Sequence, residues 1–453
     1  MKKKILAITI ALCLVLSAAA CGGGGSGGSG GGGSSPPASG APAPAPAPAP
    51  APGAPAPGAP DAVRIGVLLP LSGPTASSGT YQLDGIQRAV DYVNGSGGIK
   101  SMGGALIELV ISDSTGDVEV GMTEIERLIS VENVSALIGP FNSTVAAATA
   151  PIAIRSSVPY VITNAVADNV MQNGPNKYVY RTNFGMADMA PFRSLVFDYL
   201  GSYTTNGKLS KIAVVYDAGD WGVAENDSIV AIAQAVGAEI VVSEMIATDS
   251  HDLSSVVNKI RFSDAELVFG GIFLNDAILF TRQMVEYNVD VPIWGSGMGF
   301  LDNKWLEGLG KDAAEHVLGT ANFNPSFAAL NPEASAIYDV YLAENNGIAM
   351  PMETANGWCG MATIAEALEI AGSADREALA DALYNIDLGE NSLPTWFTTF
   401  EGVRFNTAGD RADRFNQNEK LGATAGQVLY QVQGGKWQLV WPHANATASI
   451  VFG

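Results

Sequence analysis

The sequence predicts an α/β protein made of two doubly wound, Rossmann-like lobes, and three observations predict it. Short apolar runs rich in Val and Ile recur through residues 61–453 and are continuous rather than alternating, as strands buried on both faces must be. Stretches with apolar residues at helical spacing separate those runs, which is the order of a parallel sheet covered by helices. Near residue 181 the pattern restarts, giving a second unit of similar size.

In the first unit Val63–Leu69 (VRIGVLL) reads as the opening strand, and Tyr81–Asn94 carries helical periodicity through Leu83, Ile86, Ala89, Val90 and Val93. Leu106–Ile111 is a second strand, followed by a helix whose face is Met122, Ile125, Leu128 and Ile129. Ser135–Ile138, a helix over Val145–Arg155 and the strand Pro159–Ile162 complete the unit. After Tyr178–Arg181, Phe192–Tyr199 is helical and Lys211–Tyr216 (KIAVVY) is a strand. Val223–Val236 is a helix, Glu239–Ser243 a strand, Leu253–Arg261 a helix, Leu267–Gly271 a strand, Ala277–Tyr287 a helix and Pro292–Trp294 a strand. Sheets of this type bind ligands beyond the carboxyl ends of their strands, so a cleft between the lobes is the expected site.

Composition narrows the function classes. The 45 acidic residues against 24 basic ones give a net charge of −21, which leaves no basic footprint for a nucleic-acid backbone. Hydrophobic residues make up 47% and charged residues 15%, so a large core is expected and disorder of the whole chain is excluded. Thirteen of the 52 Gly and eleven of the 24 Pro fall within residues 22–60, and the remainder has ordinary globular composition.

The N-terminus opens Met1, Lys2, Lys3, Lys4, continues with an apolar run from Ile5 to Leu16, and ends in Ser17, Ala18, Ala19, Ala20, Cys21. A basic segment, a short apolar segment and small residues before a cleavage point make a secretory signal, assigned to residues 1–20. As a helix the apolar run would span about 18 Å, short of the roughly 30 Å hydrocarbon core. Cys21 resembles the acylated cysteine of a bacterial lipobox, with Ala18 where Leu is usual and Leu16 two residues upstream. An ordinary signal cleaved near Ala20 is the other reading. An exposed free thiol is a poor choice in an oxidising compartment, which favours lipidation. With Cys13 removed and Cys21 acylated, Cys359 is left alone and no internal disulfide forms. Residues 22–35 are Gly and Ser only, and residues 36–60 are mainly Ala-Pro alternation without charge, so residues 21–60 form a tether whose Pro-rich part reaches about 75 Å.

Several segments in order carry a family resemblance: Arg64–Pro74 (RIGVLLPLSGP), Asp84–Ile99 (DGIQRAVDYVNGSGGI), Ala136–Ser143 (ALIGPFNS), Val158–Thr163 (VPYVIT) and Val214–Gly222 (VVYDAGDWG). From about Arg64 onward the chain resembles type I periplasmic solute-binding proteins of the branched-chain amino acid (leucine/isoleucine/valine) class, the receptors of ABC importers. The resemblance implies two lobes joined by a three-segment hinge. Residues 62–182 plus 320–408 would form lobe 1, and residues 183–319 plus 409–453 lobe 2, the latter including strands at Val428–Gln431 and Trp437–Val440. It further implies a monomeric receptor that closes on a small amino acid or related organic carboxylate and passes it to a permease complex. The alternative class is a ligand-binding sensor for amides, aromatic acids or similar solutes.

The resemblance also implies the site. Ser143 matches the family's ligand-binding serine, with Asn142 and Thr144 beside it at the start of a helix, where unpaired N–H groups suit a carboxylate. Capping of that helix is the other role these residues fit. Ala165 and Ala167 match a second contact loop, although Ala167 stands where the family has a hydroxyl. Trp221 matches an aromatic, usually Tyr, that covers the ligand and offers a stacking face. Where amino-acid binders place an acid and a tyrosine for the amine, this chain has Gly295–Gly299 around Gly297, and Gly271–Leu274 with Phe273. Asn275 and Asp276 are the nearby substitutes, and Asp276 equally fits a helix cap. The missing counter-charge points to a ligand without a free α-amine or to a rearranged set. The run Gly295, Gly297, Gly299 reads as a flexible loop at the cleft.

Enzyme signatures are absent: there is no H-E-x-x-H, P-loop, G-x-S-x-G elbow or Cys pair, and His251, His316 and His443 are scattered. No cofactor or metal is expected, since Asp113 and Asp117 read as acidic turn residues after a strand.

Overall fold

The computed structural model describes residues 61–323, 328–407, 415–422, 424–443 and 445–451, without the side chain of Met298. The signal segment, Cys21 and the tether lie outside the described residues.

The first sheet is wholly parallel, in the order β2-β1-β3-β4-β5. Its strands are β1 (Val63–Leu69), β2 (Ile107–Asp113), β3 (Ala136–Ile138), β4 (Tyr160–Ile162) and β5 (Val179–Arg181). The helices α1 (Ala76–Gly95), α2 (Val118–Ser130) and α3 (Ser143–Arg155) cover it. Side chains alternate across a strand, so Val63, Ile65, Val67 and Leu69 enter a core shared with α1, while Leu68 enters a second core with Ile125, Leu128, Val145 and Ile152. Burial on both faces is why the run VRIGVLL is apolar throughout.

The second lobe follows the same plan. Its helices are α4 (Ala190–Gly201), α5 (Asp220–Val236), α6 (Ser254–Arg261), α7 (Leu274–Glu286) and the short α8 (Gly297–Phe300), α9 (Asn303–Leu309) and α10 (Lys311–Ala314). The strands β6 (Lys211–Asp217), β7 (Glu239–Ile246), β8 (Leu267–Gly271), β9 (Ile293–Ser296) and β10 (Leu318–Ala321) pair in parallel in the order β7-β6-β8-β9-β10. This is the strand order of the first sheet repeated. Past β10 the chain forms α11 (Pro332–Glu344), α12 (Met352–Ala371), α13 (Arg376–Tyr384) and a small pair, β11 (Asp387–Leu388) with β12 (Val403–Arg404). It then adds β13 (Val428–Gln433) and β14 (Lys436–Trp441) antiparallel on the edge beyond β10. Residues 416–418 lie beside the first sheet, where the Arg181 N–H donates to Asn416 O at 3.1 Å and the Asn418 N–H to Arg181 O at 2.9 Å.

Up to its last turn α12 is buried on every side, from Trp358 and Met361 to Ala355 and Ala365, and only near its end does it reach the surface, at Ile370. A helix enclosed all round carries no amphipathic period, which is why periodicity does not announce it. It packs against α1 through small residues. A Cβ on Gly85 would stand 1.9 Å from Thr354 O, and one on Gly357 would stand 2.2 Å from Gln82 O. The run Gly295–Gly299, expected to be a loop, is instead the end of β9 and the single turn of α8, because Phe300 fills the space above Gly295 and leaves no room for a side chain (2.1 Å to Cγ).

Buried amide side chains gather where the chain passes between the sheets. Asn322 Nδ2 donates to Asn356 Oδ1 at 2.9 Å and to Asn183 Oδ1 at 3.2 Å. Asn356 Nδ2 donates to Asn164 Oδ1 at 2.7 Å, and Asn164 Nδ2 to Gln82 Oε1 at 3.2 Å. Arg181 Nε donates to Gln417 Oε1, and Asn418 Nδ2 to Thr182 O at 3.1 Å.

A buried acid opens α12. Glu353 is 5% exposed, and burial, with Asp302 nearby, pushes its carboxyl up to about 8. Asp302 is also raised by burial and accepts from the Tyr81 hydroxyl at 3.3 Å. Because the folded value lies above the ordinary 4.5, the native state holds a proton that the unfolded chain releases. The stabilisation from this group is complete below about 4.5 and is lost as pH rises towards 8. Glu353→Gln is therefore expected to match the wild type in urea unfolding near pH 4.5 and to exceed it progressively up to pH 8, by at most about 1.4 kcal/mol per pH unit. In the same assay Gly85→Ala should lose about 1–3 kcal/mol through overpacking. Gly95→Ala, at the end of α1 with open space around it, should lose nothing.

Candidate functional site

In both lobes the sheet order reverses beside the first strand, between β1 and β3 and between β6 and β8, and the loops that leave these strands open a crevice. A cavity of about 290 Å³ occupies it. From the first lobe come Pro74 and Thr75 after β1, Thr115–Asp117 after β2, Phe141–Thr144 after β3 and Asn164 after β4. From the second come Asp217, Gly219 and Trp221 after β6, Thr248 after β7 and Phe273 after β8.

The loop before α3 depends on Gly139, whose φ of +118° lies in the region open to glycine and whose Cβ would stand 2.2 Å from Leu68 O. Asn142 is the N-cap position of α3 but makes no capping bond. Neither hydroxyl that follows caps the helix. Ser143 Oγ accepts from the Ala167 N–H at 3.2 Å, and Thr144 Oγ1 accepts from the Asp220 N–H of the second lobe at 3.4 Å. The first-turn N–H groups of α3 have no partner within the helix and stand at the edge of the cavity, a setting that favours an anionic oxygen.

The opposite wall is aromatic. Trp221, 6% exposed, lies in the first turn of α5, with its ring centroid 4.7 Å from that of Phe273 and the planes inclined by 34°. Phe273 in turn stands 6.1 Å from Phe141 of the first lobe. Beside them Asp217 is 2% exposed and accepts from the Gly219 N–H at 2.8 Å and the Thr248 hydroxyl at 2.5 Å. Burial raises its carboxyl above the ordinary range. No Lys, Arg or His lines the cavity.

Of the residues expected from the sequence, Asn142, Ser143, Thr144, Trp221 and Phe273 meet at this cavity and the other four do not line it. Ala165 and Ala167 are buried, and their carbonyls accept from Arg181 Nη1 at 3.0 and 2.9 Å. Asp276 is buried under the 249–250 turn, where it accepts from the N–H groups of Asp249 and Ser250 at 3.0 and 2.8 Å. Asn275 faces Asp249, donating to Oδ1 at 3.1 Å. Gly297 begins α8, and a Cβ there would meet Met352 Cε at 2.3 Å. Sequence reasoning placed Asn164 in the second contact loop but missed Thr75, Thr248 and above all Asp217, whose signal was an acid at the carboxyl end of the strand KIAVVY. Asp113 serves its own turn, accepting from the Leu71 and Thr115 N–H groups at 2.8 and 2.7 Å, and among the described residues no cluster of His, Cys, Asp or Glu is placed to hold a metal.

Residues 62–412 match the family model described as periplasmic binding protein. The Leu/Ile/Val-binding protein homolog 7 of Brucella suis biovar 1 is 28% identical over 398 residues, covering 86% of this chain and 93% of that one. Among solved structures, the branched-chain amino acid transporter substrate binding protein LivJ of Streptococcus pneumoniae, in complex with isoleucine, shares the fold at a TM-score of 0.68 and 22% identity, covering 83% of this chain and 97% of that one. The leucine binding protein LivK of Thermotoga maritima does so at 0.67 and 22%, with the same coverage. An ABC transporter solute binding protein of R. palustris, in complex with benzoate, does so at 0.68 and 21%, covering 84% of this chain and 95% of that one.

Proposed function

The chain belongs to the periplasmic binding protein family, a family of extracytoplasmic solute receptors and not of enzymes, and from that premise we propose what it carries and how. It is the solute-binding lipoprotein of an ABC importer, capturing a small amino acid or related organic carboxylate between two lobes and delivering it to a permease. The observation that carries this reading is the cavity where the two sheets' loops meet, with the N-terminus of α3 on one side and Trp221 and Phe273 on the other. Its size suits a solute with a carboxylate at the helix terminus and an apolar or aromatic body against the rings. The relatives named after leucine, isoleucine and valine and the neighbour holding benzoate bracket that range.

The lobe division expected from the sequence is retained with one change. Residues 62–182 with 320–408 make lobe 1 and residues 183–319 with 409–453 make lobe 2, except that the hydrogen bonds between Arg181 and residues 416 and 418 favour counting that short segment with lobe 1. Residues 1–20 are the signal peptide, and acylated Cys21 with the tether attaches the receptor to the membrane. Among the described residues no helix is long and apolar enough to cross one.

A thermal-shift series with L-isoleucine, L-leucine, benzoate and 4-hydroxybenzoate tests the binding. A true ligand at a hundred times its Kd should add about 2.7 kcal/mol and raise Tm by several degrees, while no response to any of them counts against the reading. Trp221→Ala should weaken the responding ligand at least tenfold in titration calorimetry, and unchanged affinity would remove Trp221 from the site. For the anchor, radiolabelled palmitate should enter the wild-type chain in a bacterial host and not the Cys21→Ser variant. Equal labelling of both would refute lipidation at Cys21.

A further inference from the structure

The indole of Trp221 is held from behind by a residue that does not line the cavity. Glu225, one turn further along α5, is fully buried. Its Oε1 accepts from Trp221 Nε1 at 3.1 Å and from the Ser296 hydroxyl, at the end of β9, at 2.7 Å. Its Oε2 accepts from Arg193 Nη2 of α4. Arg193 is 1% exposed, its guanidinium stands 5.5 Å from the centre of the Phe269 ring, and among the described residues Glu225 is the carboxylate it pairs with. One carboxylate thus joins the cavity wall, the end of a central strand and the first helix of the second lobe.

We propose that Glu225 is the positioning residue of the binding wall, fixing the plane of the Trp221 indole and so selecting solutes that present a flat or apolar face to it. The inference rests on the function proposed above, and it names what makes that wall rigid. A Trp packed only against Phe273 could still turn its ring edge. The bond from Nε1 to a carboxylate removes that freedom, because the carboxylate is itself held by Arg193 and Ser296 and cannot follow. Ordering of the ring then occurs on folding rather than on binding, and the affinity retained is roughly three- to tenfold. A buried acid paired to an Arg serves folding as well, so the test needs readouts that a merely structural role leaves unmoved.

Hydrogen exchange at the Trp221 indole in the ligand-free wild type, assigned by its absence in Trp221→Phe, comes first. It should be at least tenfold slower than at the indole of Trp396, which bonds Asn391 O near the surface at 3.3 Å. Fast exchange at Trp221 overturns the proposal without any ligand. In the paired variant Arg193→Met with Glu225→Met, which removes both charges at similar volume, exchange should accelerate tenfold or more. Affinity for L-isoleucine or benzoate, whichever binds, should fall three- to tenfold. Arg193→Met with Glu225→Gln keeps an acceptor and should restore both values to within about twofold. In a Trp221→Phe background the paired methionines should change affinity no further, and an undiminished loss there would show that Glu225 acts elsewhere and overturn the proposal. If neither probe binds the wild type, the reading of the cavity fails while the exchange measurement still decides whether Glu225 holds the ring.

Discussion

A lattice of buried amides lies where the chain passes between the two sheets. Asn183, Asn322, Asn356, Asn164 and Gln82 pass hydrogen bonds from one to the next, and Gln417 and Asn418 continue the pattern around Arg181 and Thr182. Each is nearly or wholly withdrawn from water, where an unmade hydrogen bond costs about 1–3 kcal/mol. Amides suit the place because each side chain both donates and accepts without charge, so a neighbouring pair can be kept as the backbone turns. An apolar seam would have joined the sheets as firmly, but with no preferred geometry. The lattice fixes which segments lie side by side, and the cavity above inherits its alignment.

That cavity draws on both lobes. The first supplies Phe141, Asp117, hydroxyls and the first-turn N–H groups of α3, and the second supplies Trp221, Phe273, Thr248 and the acid Asp217. With no basic side chain in the lining, attraction for any anionic group would fall to backbone dipoles, which require no counter-ion and lose no side-chain entropy. The dominant force on the opposite wall is apolar contact, supported by the buried carboxylate of Glu225 rather than weakened by it.

The architecture was legible in the sequence wherever burial leaves a pattern. β1 and β8 have the bounds that their apolar runs suggested, because strands covered on both faces admit little else. α12 left no such mark, since a helix enclosed on all sides has no period to detect. The Gly295–Gly299 run misled for a related reason, because glycine there is a requirement of packing under Phe300 and not of mobility. At the cavity, Ser143 and Trp221, which adjoin recognisable strand ends, are among the lining residues that the sequence suggested. Asp217, Thr75 and Thr248 are not, because an acid or threonine at a strand end looks alike whether it faces a cavity or a turn. Asp276 shows the converse, with an acid in the right segment that is taken up by the 249–250 backbone.

The lobes also touch directly at the rim, through Thr144 to Asp220, Asn169 to Asp220 at 2.8 Å, and Phe141 to Phe273. These contacts involve no solute and belong to the protein's own seam. Widening the cavity costs these contacts whatever the solute, so part of the work of opening belongs to the protein and not to its guest.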